Sequence, residues 1–196
     1  MRIVLLTYGS LLWDNNFSHT KFIRTGSDTS KLSLPIEFCR ISHSSTKQSY
    51  LSLTINQIHG QENIVYYAEP KKTFRSLLQE ITAKENHESI KNVSKTSSHI
   101  SFVDLYHNKS LYKKNHTQIA ERIHQWSSDN KIDITVWVSF LSNFKKITGN
   151  NFTIKNAYEW YKNHETFEAQ KYICSAIKYD LETPFLTKYK QQICNL

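Results

Sequence analysis

The alternation of apolar and polar residues predicts several strands along this chain. Residues 2–8 form an almost continuous apolar run that ends at Gly9, which is typical of a strand buried on both faces. Other segments alternate apolar and polar residues or are rich in β-branched and aromatic ones. They cover residues 20–24, 36–41, 50–55, 64–68, 100–105 and 132–140. We expect one mixed sheet to contain residues 2–8, 36–41, 50–55, 64–68 and 132–139.

Helical spacing of apolar residues predicts two helices in the middle of the chain. Four apolar residues recur every three or four positions along residues 71–86, as on the buried face of an amphipathic helix. A similar stripe predicts a helix over residues 112–129. The polar residues 87–98 between them indicate a loop.

The last quarter of the chain is predicted to be helical throughout. Thr153 is suited to capping the first of these helices, and Pro184 follows the end of the next. The sequence therefore predicts an α+β fold with one mixed sheet and flanking helices. We expect a single domain over residues 1–196, in which residues 153–196 are a helical part packed on the sheet.

Composition excludes a disordered chain and a membrane-spanning one. Of 196 residues, 39% are hydrophobic and 13% aromatic, which is enough to form a core. No segment approaches the ~20 apolar residues that a membrane span needs. The apolar run at the N-terminus is too short for a signal peptide. We therefore expect a soluble, cytoplasmic protein that does not associate with membranes.

The net charge of +8 does not by itself indicate nucleic-acid binding. Only five of the 25 basic residues are Arg, the residue type that makes most bidentate contacts with phosphates and guanines. The lysines are dispersed, and no basic helix accompanies them. Nucleic acid is therefore an unfavoured partner, and binding it would require the lysines to converge on one face.

The cysteines and histidines lack the spacing of a metal or disulfide framework. Cys39, Cys174 and Cys194 are odd in number and far apart, without a C-x-x-C pair. The nine histidines are scattered singly, without the spacing of a zinc motif. We expect no disulfide, no metal and no cofactor, with Cys39 acting as a small buried hydrophobic residue.

The turn after the first strand is the candidate site. Tyr8, Gly9, Ser10 and Leu11 follow a buried strand directly, so successive backbone N–H groups can point outward without a covering side chain. Such amides can bind a carboxylate or phosphate, although the segment lacks the glycine pattern of a P-loop. An ordinary strand-to-loop turn remains the alternative. Arg40, on the predicted strand 36–41, is a candidate cation for the same pocket, or else a surface residue.

The Tyr-Gly-Ser-Leu turn at the N-terminus resembles that of the gamma-glutamylcyclotransferase family, including its ChaC branch that degrades glutathione. In that family the turn holds the glutamyl group, and a glutamate late in a helix is catalytic. Glu85 stands at the corresponding place, 77 residues after Tyr8, with Lys84 where the family has arginine. The resemblance covers about residues 1–90. It implies a partly barrel-like mixed sheet.

The resemblance also implies a reaction and a set of roles. The α-amine of a gamma-glutamyl compound attacks its own side-chain carbonyl, which forms 5-oxoproline and releases an amine or peptide. Glu85 would be the catalytic acid–base, while Tyr8, Gly9, Ser10 and Leu11 would bind the substrate. No cofactor is needed for this chemistry. The partner would be a small molecule, and the sequence does not reveal which amine leaves or the oligomeric state.

A second interpretation of the same residues is a non-catalytic binding module. It would keep the turn and recognise a metabolite or peptide that carries a carboxylate. The two interpretations differ on whether Glu85 faces the turn at Tyr8–Leu11. Glu80, on the same predicted helix, is a weaker candidate for the acid–base, and Glu85 itself could be a solvated helix residue.

Overall fold

The computed structural model of the chain describes residues 1–13, 21–43, 48–86 and 99–194, except for the side chains of residues 84–86. The predicted loop over residues 87–98 lies outside the described residues. The strands within these ranges are β1 (Ile3–Thr7), β2 (Ile23–Arg24), β3 (Ser33–His43), β4 (Ser49–Ile55), β5 (Gln61–Ile64), β6 (Tyr66–Ala68), β7 (Ile100–Asp104), β8 (Lys109–Leu111) and β9 (Ile134–Val138). The helices are α1 (Phe74–Asn86), α2 (Thr117–Asp129), α3 (Phe144–Thr148), α4 (Ile154–Asn163), α5 (Phe167–Lys178) and α6 (Pro184–Cys194).

The fold is α+β, as the sequence predicts, but its strands form two sheets. A six-stranded sheet has the order β2-β6-β1-β9-β7-β8, with β1 parallel to β9 and antiparallel to β6. A three-stranded sheet has the order β4-β3-β5. The expectation of one sheet for all five segments is therefore wrong, because 36–41 and 50–55 lie in β3 and β4. Apolar alternation indicates a half-buried strand but carries no information about the strand it pairs with.

The predicted strand 64–68 is divided between the two sheets. β5 ends at Ile64 in the smaller sheet, and β6 begins at Tyr66 in the larger one. Val65 lies between them, and its N–H donates to the carbonyl of Leu32 over 3.1 Å. The Val65 amide pairs with no strand of either sheet, and this hydrogen bond satisfies it. The chain can therefore pass from one sheet to the other within one residue.

The described structure comprises two compact units, each made of separate segments of the chain. Unit 1 contains the six-stranded sheet and is formed by Met1–Thr7, Asn15–Leu32 and Ile64–Ser139. Unit 2 is formed by Tyr8–Asp14, Ser33–Asn63 and Phe140–Leu196. Because the segments alternate along the chain, no single cut separates the units. The expectation of one domain over the whole chain stays a prediction.

The core of unit 1 lies where α2 packs on β7 and β9. Ile123 on the helix and Trp137 on β9 have no solvent exposure. A buried pair of hydroxyls joins the same two elements: the Ser127 and Thr135 oxygens are 2.6 Å apart, and the Ser127 hydroxyl also lies 2.7 Å from the Ile123 carbonyl. The pair satisfies both polar groups, so that they can be buried without a large free-energy cost.

Unit 2 carries the helical C-terminal quarter that the sequence predicts. α5 packs on β4, and α6 packs on β3. The Thr153 hydroxyl accepts a hydrogen bond from the Asn156 amide and so caps α4 as predicted, while Thr166 caps α5 through the Ala169 amide. No helix in the described ranges is long and apolar enough to cross a membrane.

A disulfide between Cys174 and Cys194 corrects the expectation that none is present. It joins α5 to the end of α6, with the two Cα atoms 5.7 Å apart. The two cysteines are distant in sequence but adjacent in space because the helices pack side by side. Cys39 remains a free and fully buried thiol, which confirms its predicted role as a core residue.

Candidate functional site

The candidate turn follows β1 immediately and belongs to unit 2. Its first residue, Tyr8, is buried with 5% of its surface exposed. Residues Ser10–Leu12 then form a single 3₁₀ turn, in which the Leu12 amide donates to the Gly9 carbonyl over 2.9 Å. The Trp13 amide donates to the Ser10 carbonyl over 3.1 Å. Because the ladder of β1 ends at Thr7, the amides of this turn lie outside the sheet.

Three consecutive amides of this turn are unpaired within the described structure, although Leu11 itself is buried. Within the part of the chain that the structure describes, the N–H groups of Gly9, Ser10 and Leu11 have no hydrogen-bond acceptor. Gly9 has no side chain to cover them, and both Gly9 and Ser10 are partly exposed to solvent. Adjacent unpaired amides with partial positive charge are suited to a carboxylate or another anion.

An aromatic wall from α5 stands beside these amides. The hydroxyl oxygen of Tyr172 lies 3.5 Å from the position that a Cβ atom would take at Gly9. The Leu53 amide donates to this hydroxyl over 3.4 Å. The Tyr172 ring is in edge contact with Trp13 at 5.3 Å between centroids, and it also contacts Tyr50 at 4.9 Å. These contacts hold the Tyr172 hydroxyl group beside the amides of the turn.

The turn is also anchored to the C-terminal end of α5. The Tyr179 hydroxyl donates to the carbonyl of Leu12 over 2.8 Å. Its ring lies 5.7 Å from the Trp13 ring. Tyr172 and Tyr179 therefore hold the turn from two points of one helical segment, which fixes the direction of the free amides.

The structure brings together the four predicted binding residues of the turn and places Arg40 on β3. One Nη1 hydrogen bond of Arg40 goes to the Leu141 carbonyl at 3.0 Å. The guanidinium also lies 4.2 Å above the Phe140 ring. A bulge between Phe38 and Arg40 shifts the ladder at this point. A role for Arg40 in binding a substrate stays a prediction.

The predicted catalytic residue, Glu85, lies in α1 of unit 1. Its side chain is outside the described part of the structure. Glu80 on the same helix is described: its carboxylate forms an ion pair with Lys72 at 2.5 Å. The Glu80 carboxylate is therefore already paired with a lysine. The role of Glu85 as the acid–base stays a prediction.

Three residues of the site were missed by the sequence analysis: Trp13, Tyr172 and Tyr179. Tyr172 and Tyr179 are seven residues apart, about two helical turns, so the sequence shows an aromatic stripe on one face of the α5 segment. An aromatic stripe usually indicates core packing, and nothing local shows that it faces a turn more than 150 residues away. Only the packing of α5 on β4 brings these rings to the turn.

Among the described carboxyl groups of unit 2, that of Glu37 on β3 has the most perturbed pKa. Burial raises its pKa from an ordinary value of 4.5 to about 7, although hydrogen bonds from Phe38, Thr183 and Phe185 oppose the shift. The Phe38 amide donates over 2.7 Å and the Phe185 amide over 3.3 Å. Because the Phe185 amide lies in the first turn of α6, this carboxyl group joins β3 to the start of that helix.

No group of three or more His, Cys, Asp or Glu residues in the described ranges is placed to hold a metal ion. Comparison of the chain with protein-family models, with curated proteins and with solved structures gave no match. The resemblance to the gamma-glutamylcyclotransferases therefore depends on the residues of the turn and the position of Glu85. What the described site contributes independently is a set of free amides beside an aromatic wall.

Proposed function

We propose that this protein is a gamma-glutamylcyclotransferase-like enzyme, which converts a gamma-glutamyl compound to 5-oxoproline and releases an amine or peptide. The observation that carries the proposal is the row of three amides at Gly9, Ser10 and Leu11 without a described acceptor. The α-carboxylate of a gamma-glutamyl group is an anion of the right size for such a turn.

The reaction makes modest demands on the protein. The α-amine attacks the side-chain carbonyl of the same molecule, a C–N bond forms, and the amide bond to the leaving group breaks. Holding the substrate in a folded conformation supplies much of the acceleration, because the attack is intramolecular. One proton must leave the attacking amine and one must reach the leaving nitrogen, and a single carboxyl group such as that of Glu85 can transfer both.

The first test compares Glu85→Gln with wild-type protein. We expect 5-oxoproline release from glutathione or another gamma-glutamyl amine to fall ~10²–10⁴-fold, the usual contribution of general acid–base catalysis. Glu80→Gln is the matched control, since it removes a carboxylate from the same helix that is paired with Lys72. Equal turnover in Glu85→Gln and wild-type protein would remove Glu85 from the mechanism.

A non-catalytic binding module is the second candidate. The turn, Trp13 and Tyr172 all belong to unit 2, so a carboxylate can be held there without any contribution from Glu85. In that case the protein would bind gamma-glutamyl compounds or other carboxylates and would not convert them. Saturable binding of glutathione to wild-type protein without release of 5-oxoproline would favour this candidate.

The second test removes one amide of the turn. Ser10 is the first residue of the 3₁₀ turn, a position that proline tolerates, so Ser10→Pro deletes a donor with little change of backbone. We expect affinity for glutathione to fall about tenfold, as for the loss of one charge-assisted hydrogen bond. Ser10→Ala, the matched control, keeps the amide and should bind as wild-type protein does. Equal affinities of Ser10→Pro and Ser10→Ala would contradict a role for this amide.

A further inference from the structure

Unit 2 contains a second concave surface, at the groove between α3 and α4. Its volume is about 410 Å³, within the usual range of small-molecule sites. The groove is half open to solvent and shares no lining residue with the turn at Tyr8–Leu12. The lining residues come from β4, α3, α4, the segment that joins the two helices, and His164 directly after α4. The proposed enzymatic activity does not use this surface.

Side-chain amides dominate the polar part of the groove. Asn150, Asn156 and Asn163 all line it. Among the described residues, the side chains of Asn150 and Asn163 have no hydrogen-bond partner. The side-chain amide nitrogen of Asn156 donates to the Asn151 carbonyl over 2.9 Å, which leaves the side-chain oxygen to accept a hydrogen bond. Each free amide offers a donor and an acceptor on one rigid plane.

An aromatic pair forms one side of the same groove. The Trp160 and His164 rings are stacked, with 4.2 Å between centroids and 12° between planes. The Trp160 carbonyl is 2.8 Å from Nδ1 of His164, and this contact fixes the imidazole in place. The two residues are four positions apart on or just after α4, so they lie on one face of the helix. Trp160 is only half-buried and lines the groove, and His164 covers one face of its ring.

The charge of the lining disfavours an anionic ligand. Glu159 is the one carboxylate among the described residues that line the groove, and no lysine or arginine lines it; Lys155, one turn earlier on α4, lies outside the lining and pairs with one carboxylate oxygen of Glu159 over 3.7 Å. Apart from the aromatic pair, the apolar part is limited to Phe144 and Ile147, which is too little for a hydrophobic ligand. A carboxylate and planar amides can exchange hydrogen bonds with neighbouring hydroxyl groups, while an indole ring packs on aliphatic C–H groups.

We propose that this groove binds a neutral saccharide. Sugar hydroxyls would meet the amides of Asn150 and Asn163 and the carboxylate of Glu159. The C–H face of the sugar ring would pack against Trp160. An extended neutral peptide also carries paired donors and acceptors, but its backbone has no apolar C–H face to present to the indole. The combination of free amides with an exposed aromatic ring therefore favours the sugar.

The test uses the full chain and four neutral probes: glucose, galactose, maltose and cellobiose. Saturation-transfer NMR and titration calorimetry should detect at least one of them with a dissociation constant of about 1 mM or tighter. Trp160→Ala and Asn163→Ala should each weaken binding ~10-fold, as expected for the loss of one packing or hydrogen-bonding contact. Trp160→Phe keeps an aromatic ring and should retain part of the affinity.

Asn151→Ala is the matched control, because Asn151 is an exposed asparagine beside the groove that does not line it. It should bind the sugar as wild-type protein does. Absence of saturable binding for all four sugars would overturn the proposal. Tighter binding of tetra-alanine or of glucuronate than of any neutral sugar would overturn it as well. Because Ser10→Pro leaves the groove intact, sugar binding and glutathione turnover can fail independently.

Discussion

At the scale of single residues, Glu37 is a buried carboxyl group of unit 2 that titrates near neutral pH. It is fully buried, yet it accepts hydrogen bonds from Phe38 and from Phe185 at the start of α6. Burial disfavours the charged form more than these hydrogen bonds favour it, which raises the pKa to about 7. The neutral carboxylic acid is therefore the form that folding favours.

The raised pKa of Glu37 predicts a pH-dependent stability. The folded state binds this proton more tightly than the unfolded state, whose pKa is near 4.5, so the stability from Glu37 is fully present below pH 4.5 and is lost as pH rises to about 7. The loss amounts to roughly 3 kcal/mol at ~1.4 kcal/mol per pH unit. Urea unfolding at pH 5, 6, 7 and 8 should show this decline in wild-type protein and lose it in Glu37→Gln.

Glu121→Gln serves as the control for this measurement, because Glu121 is an exposed carboxylate on α2. Its free energy of unfolding should follow the wild-type pH dependence. Glu37→Gln cannot accept both backbone hydrogen bonds equally well, so a constant loss of about 1 kcal/mol at all pH values is also expected. Parallel curves for Glu37→Gln and wild-type protein would show that Glu37 does not titrate in this range.

Some residue roles could be predicted from the sequence because their cause is local. Thr153 was predicted as a helix cap, since a hydroxyl before a helix accepts a hydrogen bond from an amide three residues later. Cys39 was predicted as a buried residue because the sequence offers it no partner for metal binding or a disulfide, and it is fully buried. Tyr172 could not be assigned to the site, since its contact with Gly9 depends on how α5 packs on β4. The helical spacing of apolar residues is the same for a core tyrosine and for one that lines a site.

At the scale of elements, the strands themselves were predictable and their partners were not. β1 and β9 lie within segments that the sequence marks as strands, while β3 and β4 contain the predicted segments 36–41 and 50–55 and are longer than them. The antiparallel pairing of β3 with β4 and the parallel pairing of β1 with β9 depend on the whole chain. β8 was missed because all three of its residues are exposed, so it has no apolar alternation to detect.

The pair of helices at the C-terminus depends on the disulfide between Cys174 and Cys194. α6 is also held by the side-chain amide of Gln170, which donates to the Ile193 carbonyl over 2.5 Å, and by the stacked rings of Tyr158 and Tyr189 at 3.8 Å. These contacts position the helix in the folded state. The disulfide acts mainly on the unfolded state, where it closes a loop across a separation of 20 residues.

Reduction of this disulfide should lower the free energy of unfolding by about 3 kcal/mol, as expected for a loop of this length. The measurement is urea unfolding with and without dithiothreitol. A double variant, Cys174→Ser with Cys194→Ser, should have the stability of reduced wild-type protein and should not respond to the reductant. Cys39 remains in both proteins, so an effect of its thiol would appear in the double variant too. Identical unfolding midpoints for oxidised and reduced wild-type protein would contradict this prediction.

At the scale of the whole molecule, the alternation of the two units along the chain determines how much of it can fold alone. Unit 2 takes its strands from Ser33–Asn63 and its helices from Phe140–Leu196. The predicted helical part, 153–196, is therefore the helical half of a unit whose sheet is encoded more than 70 residues earlier. Sequence periodicity detected the helices, but it could not show which strands they cover.

This arrangement predicts that the fragment 140–196 does not fold by itself. In the full chain α5 packs on β4 and α6 on β3, and the fragment has neither strand to cover its apolar stripes. Helices of 10–12 residues, such as α4 and α5, are marginal in water without tertiary packing.

Circular dichroism of the oxidised fragment should show weak helicity and no cooperative thermal transition. The full chain in the same buffer should show strong helicity and a cooperative transition. Addition of the peptide 33–63 should restore part of the helicity, because it carries the missing strands of the same unit. A cooperative transition in the fragment alone would mean that the disulfide and the contacts between the helices suffice for its fold.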